Sequence, residues 1–142
     1  MMVTYVETTL GALRLAKKVD METVWVSFNL CHALKVGSAR KIDEIRQEAA
    51  PHLFLVQISG AIKEGDGWAD EPRDQLIRPL DSNEFDLVSY LATLADIGYT
   101  ARICLMPYGI SLPPRIHMSR SMKVWKRLRS RTLAQVTEGE QQ

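Results

Sequence analysis

Apolar positions along the chain switch between two periods. Leu10, Leu13, Ala16 and Val19 recur at helical spacing, with Arg14, Lys17 and Lys18 on other faces. Thr8 or Thr9 can cap that helix through its hydroxyl. The run "TVWVSFNLCH" (Thr23 to His32) follows, rich in β-branched and aromatic side chains and free of Gly and Pro. It predicts a buried strand that ends on an amide and an imidazole, Asn29 and His32. Gly37 and Ser38 mark a turn, and Ile42, Ile45 and Ala49 form the stripe of a second helix that Pro51 ends.

"HLFLVQIS" (His52 to Ser59) predicts the next buried strand, closing on Gln57 and Ser59. Gly, Asp and Pro then dominate from Gly60 to Asp81, which predicts a long loop of the kind that is often functional. Asp86 can cap a clear helix whose buried face is Leu87, Val88, Leu91, Leu94 and Ala95, with Gly98 at its stop. "ARICLMPYGI" predicts a third buried strand, and a last helix starts near Pro113 or Pro114. Residues 1–136 thus read as one domain and 137–142 as a polar, flexible tail. Apolar strands that alternate with helices imply a parallel sheet buried on both faces. Ligand groups in such sheets gather at the strands' C-terminal ends, where Asn29, His32, Gln57, Ser59 and the Met106 to Tyr108 segment all fall.

Composition narrows the setting. The chain has 142 residues, 46% hydrophobic and 25% charged, with a formal net charge of +1. That suits a globular domain with no global pull toward nucleic acid or membrane. Two cysteines, Cys31 and Cys104, both lie in apolar runs and make no disulfide framework. The start lacks the pattern of a signal peptide, and no apolar run reaches the ~20 residues of a membrane span. The expected location is cytoplasmic.

The order of short motifs resembles the C-terminal half of the sugar phosphate isomerase/epimerase family, the xylose-isomerase-like TIM barrels. Asn29-Leu30-Cys31-His32 sits where the family often carries Asp-x-x-His after its sixth strand. Gln57-Ile58 matches a "QI" pair on the seventh strand. "PLDSNEFD" (Pro79 to Asp86) resembles the run before the seventh helix, and Gly98-Tyr99 the pair before the eighth strand. The resemblance covers about Val6 to Arg131 and implies an α/β fold, a parallel (βα) half-barrel. "MMVTYV" stands where a remnant of strand five would.

The resemblance also implies a divalent ion, Mn²⁺ or Mg²⁺, that polarises a carbonyl and hydroxyl pair while a carboxylate moves a proton. Asn29 and Gln57 would be its ligands here. Asn29 replaces the family's Asp, Met106 stands near the place of a strand-eight Glu, and Glu7 is a poor substitute for the strand-five carboxylate. Hard cations want anionic oxygens, so this donor set is incomplete and argues against unaided catalysis. His32 is the candidate catalytic and substrate-binding side chain, and Trp68 and Tyr108 are candidate ligand contacts. Four of these residues have a plainer reading: His32 tied to backbone, Asn29 bonded to its own turn, Gln57 satisfying a loop, Trp68 anchoring the loop to the domain. Lys63, Arg73 and Arg78 could meet an anionic sugar phosphate, but nearby acidic residues balance them.

Arg115, Arg120, Lys123, Lys126, Arg127, Arg129 and Arg131 make the last helix basic. Met118, Met122, Trp125 and Leu128 mark its packed face, so the cations read as its solvated side, and a nucleic-acid partner is not expected. A half-barrel leaves two sheet edges open, which predicts a homodimer or a partner that supplies the missing half. The expected function is isomerase/epimerase-like chemistry on a small sugar-type ligand, completed by another chain. The rival is a non-catalytic ligand-binding or interaction module of the same descent.

Overall fold

The computed structural model describes residues 8–19, 24–37 and 52–139. The elements are α1 (Thr9–Val19), β1 (Val26–Asn29), α2 (Leu30–Lys35), β2 (Leu53–Ile58), α3 (Arg73–Leu76), α4 (Leu87–Asp96), β3 (Arg102–Leu105) and α5 (Pro114–Gly139). The helix expected over Ile42 to Ala49 and the strand remnant at residues 1–6 lie outside the described residues. Thr8 caps α1, its hydroxyl accepting the Gly11 N–H at 3.1 Å. Asp86 caps α4 by accepting the Ser89 N–H at 3.1 Å, and Gly98, at φ 71°, takes the left-handed conformation just past its end.

The strands form one sheet in the order β1-β2-β3, all parallel. Phe28 pairs with Val56, and Val56 with Ile103, so these three side chains share a face. Helices cover that face. Tyr90 of α4 stacks on Phe28 with ring centroids 5.4 Å apart, and Leu128 of α5 joins the same core. Phe28, Leu30, Leu34, Val56, Ile58, Leu76 and Leu87 are at most 2% exposed. Full burial of each such side chain contributes roughly 1.5–3 kcal/mol. The architecture is α/β and half-barrel-like.

The other face departs from expectation. The apolar runs predict burial on both faces, yet Ser27, Arg102 and Cys104 are exposed and alternate with covered neighbours. Period-two alternation sends these side chains to the face opposite the helices. No layer among the described residues lies against it. Cys104, predicted to be buried, is therefore exposed, whereas Cys31 is buried on α2 rather than on a strand. The last helix continues to Gly139, so residues 137–139 extend it where a flexible tail was expected.

The segment from Gly60 to Asp81 is long but laced. Gly60 and Arg78 exchange backbone hydrogen bonds at 2.8 and 2.9 Å, and the Ile62 N–H reaches the Gln75 carbonyl at 2.9 Å. At Gly60 only glycine fits, because a Cβ would stand 2.2 Å from the Pro79 carbonyl oxygen and 2.4 Å from that of Ser82. Glu71, buried within the loop, accepts the N–H groups of Glu64 and Gly65 at 2.8 and 2.7 Å. Lys35 closes the loop from α2, its ammonium donating to the carbonyls of Ala69 and Glu71 at 2.7 and 2.9 Å.

Candidate functional site at the strand ends

β1 passes into α2 with no intervening loop. Asn29 is both the last strand residue and the helix N-cap, its Oδ1 accepting the His32 N–H at 3.3 Å. An amide at this position satisfies a helix N–H that would otherwise have no partner. The same side chain donates through Nδ2 to Oε1 of Gln57 at 3.1 Å. Asn29 and Gln57 are register partners on adjacent strands, as are Gln57 and Cys104. One row of three side chains, Asn29, Gln57 and Cys104, therefore crosses the sheet on the face opposite the described helices, near the C-terminal ends of the strands. Neighbouring strands stand about 4.8 Å apart, so the row is compact.

Two of the proposed ligands thus come together, but as partners of each other. Each amide oxygen already accepts a hydrogen bond, and each is neutral. His32 is exposed on α2 and is linked to the row through its backbone N–H. Among the described residues no group of three or more His, Cys, Asp or Glu side chains is placed to hold a metal ion. Neutral amides bonded to each other do not fit a hard divalent cation, which needs anionic oxygens. Met106, near the expected place of a carboxylate, packs against the core.

Trp68 lies in the segment after β2 and Tyr108 in the turn after β3. Trp68 meets Phe85 edge to face at 5.9 Å and packs against the core, so it anchors the loop. Tyr108 is 63% exposed in the turn after β3, where Gly109 has φ 76°. Lys63 turns its ammonium onto its own loop, to the Asp66 carbonyl at 3.4 Å, and Arg78 donates to Gln75 Oε1 at 3.3 Å. On α5, Arg120 pairs with Asp81 at 2.6 Å, and the Arg131 charge is felt at Asp86.

Cys104 is the member of the row that the sequence did not single out. Its signal was weak: register, not spacing, sets it beside Gln57. The two thiols differ in environment. Burial pushes the Cys31 thiol up from its ordinary range, outweighing the opposing charges of Arg73 and Lys35. Asp86 is held below the usual carboxylate range, first by the Ser89 hydroxyl at 2.7 Å and then by the Ser89 N–H.

No family model matches the sequence, and no curated protein matches it. In three dimensions the chain is similar to a solved structure of the IolI protein with a bound zinc atom. The TM-score is 0.60 at 17% identity, over 93% of this chain and 44% of that one. At that identity the likeness establishes the fold alone. The chain spans less than half the length of the IolI chain.

Proposed function

We propose that the chain is an isomerase/epimerase-like half-barrel that holds a small polyhydroxylated ligand at the C-terminal ends of its strands. It acts on that ligand only when another chain adds carboxylates. The observation that carries this reading is the Asn29, Gln57 and Cys104 row, lying on the face opposite the described helices at the end of the sheet where α/β proteins bind ligands. Amides suit hydroxyl groups because each offers both a donor and an acceptor. Gln57 Oε1 accepts from Asn29, and its Nε2 is a donor to offer such a ligand. His32, one turn into α2, is the imidazole available to exchange a proton with a ligand hydroxyl. Tyr108 is accessible enough to flank the ligand.

The resemblance to sugar phosphate isomerases and the fold shared with a zinc-bearing protein both favour family descent. A divalent ion would require anionic ligands beyond Asn29 and Gln57. The rival reading, a ligand-binding module without turnover, shares the row and lacks the completing carboxylates.

The test is a panel of aldoses, ketoses and their phosphates added to isotope-labelled chain, with and without Mn²⁺. The side-chain amide resonances of Asn29 and Gln57 are expected to shift with saturation, and Gln57→Ala to abolish the shift. No response to any sugar would sink the reading. Turnover by this chain alone would show that the site needs no completing chain.

A further inference from the structure

The last helix is tied down along one side. Leu128 joins the core, Ser121 Oγ accepts the Leu80 N–H at 3.4 Å, and His117 and Thr132 are buried on the same side. Those contacts fix the rotation of α5 about its axis, so its opposite side faces outward. Along that side Lys123, Arg127 and Arg131 recur every fourth residue and stand one above the next. Lys126 borders the column, and all four side chains are exposed.

The charge here is of one sign. Seven of the 18 Lys and Arg residues belong to α5, against one of the 17 Asp and Glu residues, Glu138. The net charge of +1 therefore conceals a segregation, with a basic helix on a body that holds more acidic than basic groups. On sequence alone these cations read as a solvated side. A solvated helix face, however, ordinarily mixes both signs and pairs them one turn apart. Arg120 has such a partner in Asp81. Among the described residues Lys123, Lys126, Arg127 and Arg131 have no ion pair, and Arg131 acts on Asp86 only as a charge through space. Like charges one turn apart repel, a cost that a bound polyanion would relieve.

We propose that this side of α5 docks the phosphate backbone of a nucleic acid, by charge and without base preference. The occupant follows from the array. A single carboxylate or phosphate would engage one or two of these cations. Four of them, spread over about 12 Å of helix axis, suit a chain of repeating negative charge. The exposed Ser119 hydroxyl lies one turn before Lys123, and hydroxyls join Lys and Arg as donors to phosphate oxygens. Base edges have no reader on this side, because Trp125 turns to the groove against β3. An anionic membrane suits the array less, since insertion needs apolar side chains beside the cations. Met118, Met122 and Leu133 lie about a quarter turn round from the column, and Ile116 stands two turns before it. The proposal is independent of the ligand reading at the strand ends.

The test is fluorescence anisotropy of labelled duplex and single-stranded oligonucleotides of mixed sequence with the full chain, between about 50 and 200 mM salt. Expected is micromolar binding, insensitive to sequence, with the logarithm of the binding constant falling linearly with that of salt. The triple variant Lys123→Gln, Arg127→Gln, Arg131→Gln should weaken binding roughly tenfold or more at the lower salt and flatten the slope by about 2 to 3. A second triple variant, Arg14→Gln, Lys18→Gln, Arg102→Gln, has the same net charge but loses exposed cations elsewhere, and it should bind as the parent does. In the unaltered chain, oligonucleotide should slow labelling of Lys123 and Lys126 by an amine reagent and leave Lys18 unchanged, a readout that survives if the first variant fails to fold. No binding, equal losses in the two variants, or protection of Lys18 along with the α5 lysines would overturn the inference. Binding to vesicles of phosphatidylserine and phosphatidylcholine, with none to either oligonucleotide, would also overturn it and assign the face to a membrane.

Discussion

Asn29 has two partners on its one short side chain, and a substitution there separates them. Asn29→Ala removes the α2 cap and the bond to Gln57, with an expected cost of about 1–2 kcal/mol. Asn29→Asp keeps an acceptor for the His32 N–H, and Gln57 can turn its own amide to donate, so this variant should lie much closer to the parent. Urea unfolding of both variants measures the difference. Asp86 makes a pH prediction. Its carboxyl is held below its ordinary range by Ser89, so it contributes stability that is present above the unfolded-state pKa and is lost as pH falls through the folded one. Ser89→Ala should move the Asp86 titration, followed by carbon NMR, upward toward the ordinary range near about 4. Part of the depression should remain, since the residue 89 N–H still donates.

At the scale of elements, the segment from Gly60 to Asp81 behaves as a stapled unit more than as a simple loop. Glu71 supplies its inner acceptor. Glu71→Ala should cost about 1.5–3 kcal/mol, the range for hydrogen bonds to a charged group, whereas Glu71→Gln should recover part of it. Limited proteolysis between Gly60 and Arg73 gives a local readout that a general loss of stability would not mimic. Gly60→Ala drives a methyl into two backbone carbonyls that cannot retreat, and an overpacking cost of roughly 3 kcal/mol or more is expected in the melting temperature. The amphipathic stripe of α4, its Asp86 cap and its Gly98 stop were legible because all three signals are local. The lacing of the loop was not, because Glu71 finds Glu64 and Gly65 through a turn that no periodicity announces.

For the molecule as a whole, the sheet face opposite the described helices is set apart by its exposed side chains. Cys104 is exposed and Cys31 buried, so a thiol reagent should label Cys104 in the native state and Cys31 only on unfolding. Mass spectrometry of tryptic peptides reads this directly. The described strands bring no carboxylate into the row of Asn29, Gln57 and Cys104.

The α/β class, the parallel sense of the strands and the caps of α1 and α4 were written in the sequence. Each depends on residue type and short-range spacing. Apolar runs such as "HLFLVQIS" also report that a strand is suited to burial, but not which of its faces a neighbour reaches. Tertiary structure decided that the described helices cover one face of the sheet, that Trp25 and Phe54 are exposed, and that Cys104 joins Gln57 while Met106 turns to the core. Register between strands distant in sequence sets these pairings. A shift of one residue sends every side chain to the opposite face, so single-strand patterns could not have fixed them.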